Sequence, residues 1–134
     1  MIDEHEVYVK RETAELLKKA GYNWATPQGY LSSSGLLTSG HFSNNSDYGV
    51  SAPTLEVAQR WLRNNGFEIV VLADCDSIGV FYKVYVLHHY DSDWSQKYLK
   101  DEFGYGNKIF SNFEEAQENG IINALNNLLN GQDS

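Results

Sequence analysis

Phe113, Ala116, Gln117, Gly120, Ile121, Ala124, Leu125 and Leu128 recur at the three-and-four spacing of one helical face. The opposite face is Glu115, Glu118, Asn119, Asn123, Asn126 and Asn127, so the segment 113–129 reads as an amphipathic helix whose stripe must lie on apolar surface elsewhere in the chain. Ser111, followed three residues on by Glu114, forms a capping box at its start. Gly120 within the stripe costs ~1 kcal/mol of helix propensity relative to Ala, which marks it as a point of close backbone packing.

Two shorter helices precede this one. Thr54, a favoured N-cap residue just after Pro53, opens a helix through Leu55, Ala58, Trp61 and Leu62 to Asn65, and Gly66 supplies its left-handed stop. The first helix covers Arg11–Ala20, buries Ala14, Leu16 or Leu17, and Ala20, and ends at Gly21 by the same device. Lys18 and Lys19 fall in its last turn, where cations complement the helix dipole.

The segments between are strands. Residues 67–73 form a β-branched run bounded by Gly66 and by the turn residues Asp74, Cys75, Asp76 and Ser77. In the next run, 80–90, Val80, Tyr82, Val84 and Val86 alternate onto one face, so the two runs pair as an antiparallel hairpin. The other face carries Phe81, Lys83, Tyr85, Leu87 and His89. A third strand is expected over 94–103, with 107–110 extending it after the Gly104-Tyr105-Gly106 break. Residues 29–32 and 36–38 flank Ser33-Ser34-Gly35 as a small hairpin, and the Ser-, Asn-, Gly- and Asp-rich stretch 39–51 reads as a loop. The order of elements predicts an α+β fold: an antiparallel sheet, built from a three-stranded meander plus a small hairpin, with about three helices packed on one face.

With 134 residues, 42% of them hydrophobic and 13% aromatic, the chain can bury one core, and 1–134 reads as a single domain ending in a flexible 131–134. The balance of 10 Lys+Arg against 18 Asp+Glu gives a net charge of −8. That charge works against binding nucleic acid, whose recognition needs clustered cations that release counterions. The longest purely apolar run, 69–73, is five residues, whereas a membrane-spanning helix needs ~20, so no membrane partner is expected. Cys75 is the sole cysteine, which excludes an internal disulfide and a multi-cysteine zinc site. Acids at Asp3, Glu4 and Glu6 stand where an export signal carries basic and then apolar residues, so a cytoplasmic protein is expected.

Three stretches carry a resemblance. Residues 51–63 (Ser-Ala-Pro-Thr-Leu-Glu-Val-Ala-Gln-Arg-Trp-Leu-Arg), 113–121 (Phe-Glu-Glu-Ala-Gln-Glu-Asn-Gly-Ile) and 14–22 (Ala-Glu-Leu-Leu-Lys-Lys-Ala-Gly-Tyr) resemble motifs of a family of small uncharacterised proteins from gut Bacteroidetes, their prophages and phages. The family has no assigned activity, cofactor or catalytic residue, so the resemblance transfers no role to any position. It implies a cytoplasmic bacterial or phage-encoded product on a mobile element. The shared motifs sit on helix caps and stripes, which encode fold.

Among groups able to do chemistry, His88-His89-Tyr90-Asp91-Ser92-Asp93-Trp94 gathers two imidazoles and two carboxylates at a strand end. Adjacent strand residues point to opposite faces, so His88 and His89 do not share an ion unless the strand breaks there, whereas His89 and Asp91 share a face and are the candidate metal pair. The competing reading is a polar strand end running into a solvated turn. Asp74-x-Asp76-x-x-Gly79 begins like a calcium loop, but Tyr85 stands where the closing Glu belongs, and a hairpin turn explains it better. Cys75 would need a nearby imidazole to act as a nucleophile and otherwise reads as an ordinary thiol in a turn, and Arg60 and Arg63 around Trp61 read as a solvated face or as an anion clamp. His5-Glu6 lacks the second histidine of a zinc-protease motif, and Gly104-x-Gly106 lacks the third glycine of a dinucleotide loop.

Nothing here assigns a catalytic or cofactor-binding residue, and no cofactor is expected. Tyr82, Tyr85, Tyr90, Trp94, Tyr98 and Tyr105 crowd one third of the chain. Such residues fill cores and also dominate protein contact patches. The expectation is therefore a non-catalytic, cytoplasmic protein-binding accessory or modulator, with Tyr85, His89, Trp94 and Tyr98 as its interaction surface. Its partner is an unidentified protein, with a homodimer through the second sheet face as a further option. Two alternatives stand beside it: a metal-binding protein or small enzyme using His88, His89, Asp91 and Asp93, and an acidic nucleic-acid mimic.

Overall fold

A computed structural model of the chain describes residues 6–44, 49–90, 95–98 and 109–132, and of 89–90, 95–98 and 131–132 the backbone alone. The elements are α1 (Arg11–Ala20), β1 (Thr26–Leu31), β2 (Leu37–Phe42), β3 (Gly49–Ser51), α2 (Leu55–Asn64), β4 (Phe67–Cys75), β5 (Val80–Tyr90), β6 (Ser95–Tyr98) and α3 (Phe113–Gln132). They form an α+β fold, as the order of elements predicts, with two antiparallel sheets of strand order β2-β1-β3 and β4-β5-β6.

Local chemistry sets the helix ends. The Thr54 hydroxyl accepts the Val57 N–H at 3.2 Å and caps α2. Gly21 and Gly66, at φ +101° and +93°, end α1 and α2, and their N–H groups donate to the carbonyls of Lys18 and Arg63. At α3 the cap lies one residue later than the Ser111–Glu114 box. Asn112 Oδ1 accepts the Glu115 N–H at 2.9 Å. The cause is the preceding residue: Phe110 exchanges two backbone bonds with Tyr82, at 2.8 and 2.9 Å, and this anchorage fixes where the chain is free to turn into the helix.

The stripe of α3 lies on the β4–β5 hairpin, whose core face presents Phe67, Ile69, Val84 and Val86, all buried. Gly120 is the contact point. A Cβ built there would stand 2.7 Å from Val84 Cγ2 and 2.8 Å from Ile69 Cγ2, so the backbone approach requires glycine. α2 packs on the same side, and a polar chain ties the layers together: Gln117 Nε2 donates to Gln59 Oε1 and Gln59 Nε2 to the Ile69 carbonyl, both at 2.8 Å. α1 packs against α3 and β3. Each fully buried leucine of this core, such as Leu17, Leu62 and Leu125, contributes about 1.5–3 kcal/mol.

Two further sequence expectations change. The stretch 39–51 is not a loop throughout: β2 continues to Phe42, and β3 pairs with β1 through Gly29–Ser51, Tyr30–Val50 and Leu31–Gly49. The driving contact is Phe42, 1% exposed, whose ring occupies the space that side chains on Gly29 and Gly49 would need. One buried ring on a glycine floor orders a stretch whose composition reads as coil. The second change is Glu118, placed by periodicity on the outer face of α3 but only 6% exposed, because α1 packs there and the Lys10 N–H reaches its carboxylate.

Candidate interaction surface

β4 and β5 pair over nine consecutive positions without a bulge, from Phe67–His88 to Cys75–Val80. Alternation sends Phe67, Ile69, Val84 and Val86 to the helices, and places Glu68, Val70, Leu72 and Asp74 of β4 beside Leu87, Tyr85, Lys83 and Phe81 of β5 on the other side. No helix among the described residues packs over this second face. Val70, Leu72, Tyr85 and Leu87 line a shallow depression of about 190 Å³ on it, below the ~300–1,000 Å³ of small-molecule pockets, and Leu72 is 51% exposed. Lys83 Nζ stands 5.8 Å from the centre of the Phe81 ring. The period-two reading of 80–90 is therefore correct, and it brings Tyr85 onto this face.

The hairpin extends past the helices, and residues 72–80 are all exposed. Its turn is closed by Asp76, whose Oδ1 accepts the N–H groups of Ile78 (2.8 Å) and Gly79 (3.2 Å) while its own N–H donates to the Gly79 carbonyl. The calcium-loop resemblance of 74–79 is thus a hairpin turn with its carboxylate spent on the backbone. Cys75 is exposed at the end of β4.

The other sequence candidates scatter. His88 lies on the helix side, stacked on Phe67 at 4.2 Å and 3°. His89 follows it in the β5 backbone, and its side chain lies outside the described residues, as do Asp91, Asp93 and Trp94. Tyr98 pairs with Leu87 through the β6 backbone, its side chain likewise outside. Arg60, Trp61 and Arg63 do not form a clamp: Trp61 turns into the core edge-on to Tyr22 at 5.6 Å, and Arg63 pairs with Glu68 at 2.7 Å, which raises the guanidinium pKa further. No group of three or more His, Cys, Asp or Glu side chains gathers around a metal-sized space among the described residues.

A second depression, of about 310 Å³, is lined by Val7, Tyr8 and Leu55 together with Glu114, Glu115 and Glu118. Its acids serve the fold. Glu114 and Glu115 occupy the first turn of α3, where they complement the helix dipole, and Glu118 holds the Lys10 amide. Nearby, the Tyr30 hydroxyl donates to the Val9 carbonyl at 2.6 Å, and burial, then the charges of Glu118 and Glu12, push its pKa up.

No helix among the described residues is long and apolar enough to cross a membrane. No protein-family model, curated protein or solved structure matches the chain. The reading of its function rests on the surface itself.

Proposed function

We propose that the chain is a non-catalytic protein-binding module, an accessory or modulator that engages another protein through the second face of the β4–β5 hairpin. One observation carries this reading: Val70, Leu72, Tyr85 and Leu87 form a continuous apolar strip on a sheet face that no described helix covers, with Leu72 half exposed. An apolar centre with an aromatic and a charged rim of Glu68, Asp74 and Lys83 is the composition of a contact patch. A cytoplasmic setting accords with the lone, exposed Cys75, which an oxidising compartment would leave open to pairing. Origin on a phage or mobile element rests on the resemblance of residues 14–22, 51–63 and 113–121 alone.

The test compares capture from a bacterial lysate by the wild-type chain and by Leu72→Asp. A half-exposed leucine is replaceable without loss of fold, so both proteins should melt alike, and a captured protein should be lost with the variant. Identical capture by both, or turnover of a substrate by the purified chain, would overturn the proposal.

A further inference from the structure

β4 is the outermost strand of its sheet, and no described strand pairs with its outer edge. Three hydrogen bonds reveal which backbone groups face that edge. The Ile69 carbonyl accepts from Gln59 on α2, so it points away from β5. On the far side of β5, Tyr82, the partner of Ala73, exchanges both its backbone bonds with Phe110. An antiparallel ladder alternates, so Ile69, Val71, Ala73 and Cys75 turn their N–H and C=O groups outward.

The ends of this row are already occupied. Gln59 holds the Ile69 carbonyl, and Asp74 Oδ1 accepts the Cys75 N–H at 2.8 Å. Between them, the outward N–H and C=O groups of Val71 and Ala73 have no partner among the described residues. Exposed edges are ordinarily blunted by Pro, Lys or a bulge. β4 reads Phe-Glu-Ile-Val-Val-Leu-Ala-Asp-Cys with unbroken register, and has none of these.

We infer that this window accepts an extended segment of a partner protein as a fourth strand of the sheet. The inference deepens the proposed protein-binding function and rests on it. The chemistry of the segment follows from β4. A strand laid against it meets Val70 and Leu72 on the open face, flanked by Glu68 and Asp74, while the cation of that face, Lys83, sits one strand further in. The fitting segment therefore presents, at every second residue, a Lys or Arg, two apolar residues and a second Lys or Arg, and the net charge of −8 favours its approach. A second copy of β4 fits less well: the register that pairs Val71 with Ala73 sets Asp76 opposite Glu68, like charge against like.

The probe is a fluorescein-labelled Lys-Thr-Val-Thr-Val-Thr-Lys peptide, compared by anisotropy with the same peptide N-methylated on alternate amides, and with the peptide carrying Glu in place of both Lys. Wild type should bind the first about tenfold or more tightly than the methylated form, since strand addition needs the amide donors. Ala73→Pro removes an outward N–H and leaves the β4–β5 ladder intact, and should cost about the same factor. Asp74→Lys touches no ladder bond and should move the preference toward the Glu peptide, which keeps the inference falsifiable should Ala73→Pro fail to fold. Equal binding of methylated and unmethylated peptides would overturn strand addition. So would a wild-type dimer by sedimentation equilibrium that Ala73→Pro converts to monomer, because the occupant would then be a second copy. If the peptide arms fail while Leu72-dependent capture persists, the edge inference falls and protein binding through the face stands.

Discussion

The two carboxylate oxygens of Glu118 on α3 lie 3.2 and 3.3 Å from the backbone nitrogen of Lys10, the N-cap residue of α1, across 108 positions of sequence. The Lys10 side chain makes no cap hydrogen bond, so a residue from another helix supplies what a capping box normally supplies from within. The same carboxylate faces the positive end of the α1 dipole.

Removing Glu118 orphans a partly buried amide and takes away a side chain packed between α1 and α3. Glu118→Ala should lower the unfolding free energy by about 1–3 kcal/mol, measured by urea denaturation. Glu118→Gln, whose amide oxygen still accepts, should lose less.

At Gly120 two effects oppose each other. Alanine gains ~1 kcal/mol of helix propensity, but its Cβ collides with Val84 and Ile69, and overpacking costs ~1–3 kcal/mol. Gly120→Ala should therefore destabilise despite its higher propensity, whereas Asn126→Ala, on the exposed side of α3, should stabilise by a few tenths of a kcal/mol or about 0.5. Opposite signs in thermal melts would separate packing from propensity.

The displaced cap of α3 is testable in the same way. Asn112→Ala should cost about 1 kcal/mol, because the Glu115 N–H loses its acceptor. Ser111→Ala should fall within about 0.5 kcal/mol of wild type.

Tyr22 provides the pH dependence. Its hydroxyl is buried with no hydrogen-bond partner among the described residues, and burial pushes its pKa up to about 12. The folded state thus holds the proton more tightly than the unfolded chain. The associated stability is complete below the unfolded value of about 10 and drains away as pH rises through the folded value. Tyr22→Phe should match or exceed wild-type stability at pH 7, since no bond is lost, and should show a shallower alkaline decline between about pH 10 and 12 in melts across that range.

The ends of α1 and α2 and the β4–β5 hairpin were readable because each is decided by neighbours in sequence: a threonine at an N-cap, a glycine past a helix, alternation along a strand; Gly120 was readable as a glycine inside an apolar stripe, though the side chains it meets, Ile69 and Val84, were not. The strands within 39–51 were not, because their order comes from Phe42 lying on Gly29 and Gly49, a contact that composition does not encode. Glu118 misled for a related reason. Periodicity tells which face of a helix is polar, and not whether a second helix will bury part of that face. The open sheet face was legible from period two, including Tyr85 and Leu87. Its edge was not, since strand order and the side chains that shield an edge, here Gln59 and Asp74, exist only after the chain has folded.

The bond between Lys10 and Glu118 also bears on how the protein is made. At ribosomal rates of ~5–20 residues per second, the 108 positions between them separate the two groups by roughly 5–20 s of synthesis. A ten-residue helix such as α1 is marginal in water by itself. The nascent chain therefore waits: the Lys10 amide gains its acceptor only once α3 has emerged, and a chain released before α3 lacks the surface on which α1 and the β4–β5 hairpin both pack.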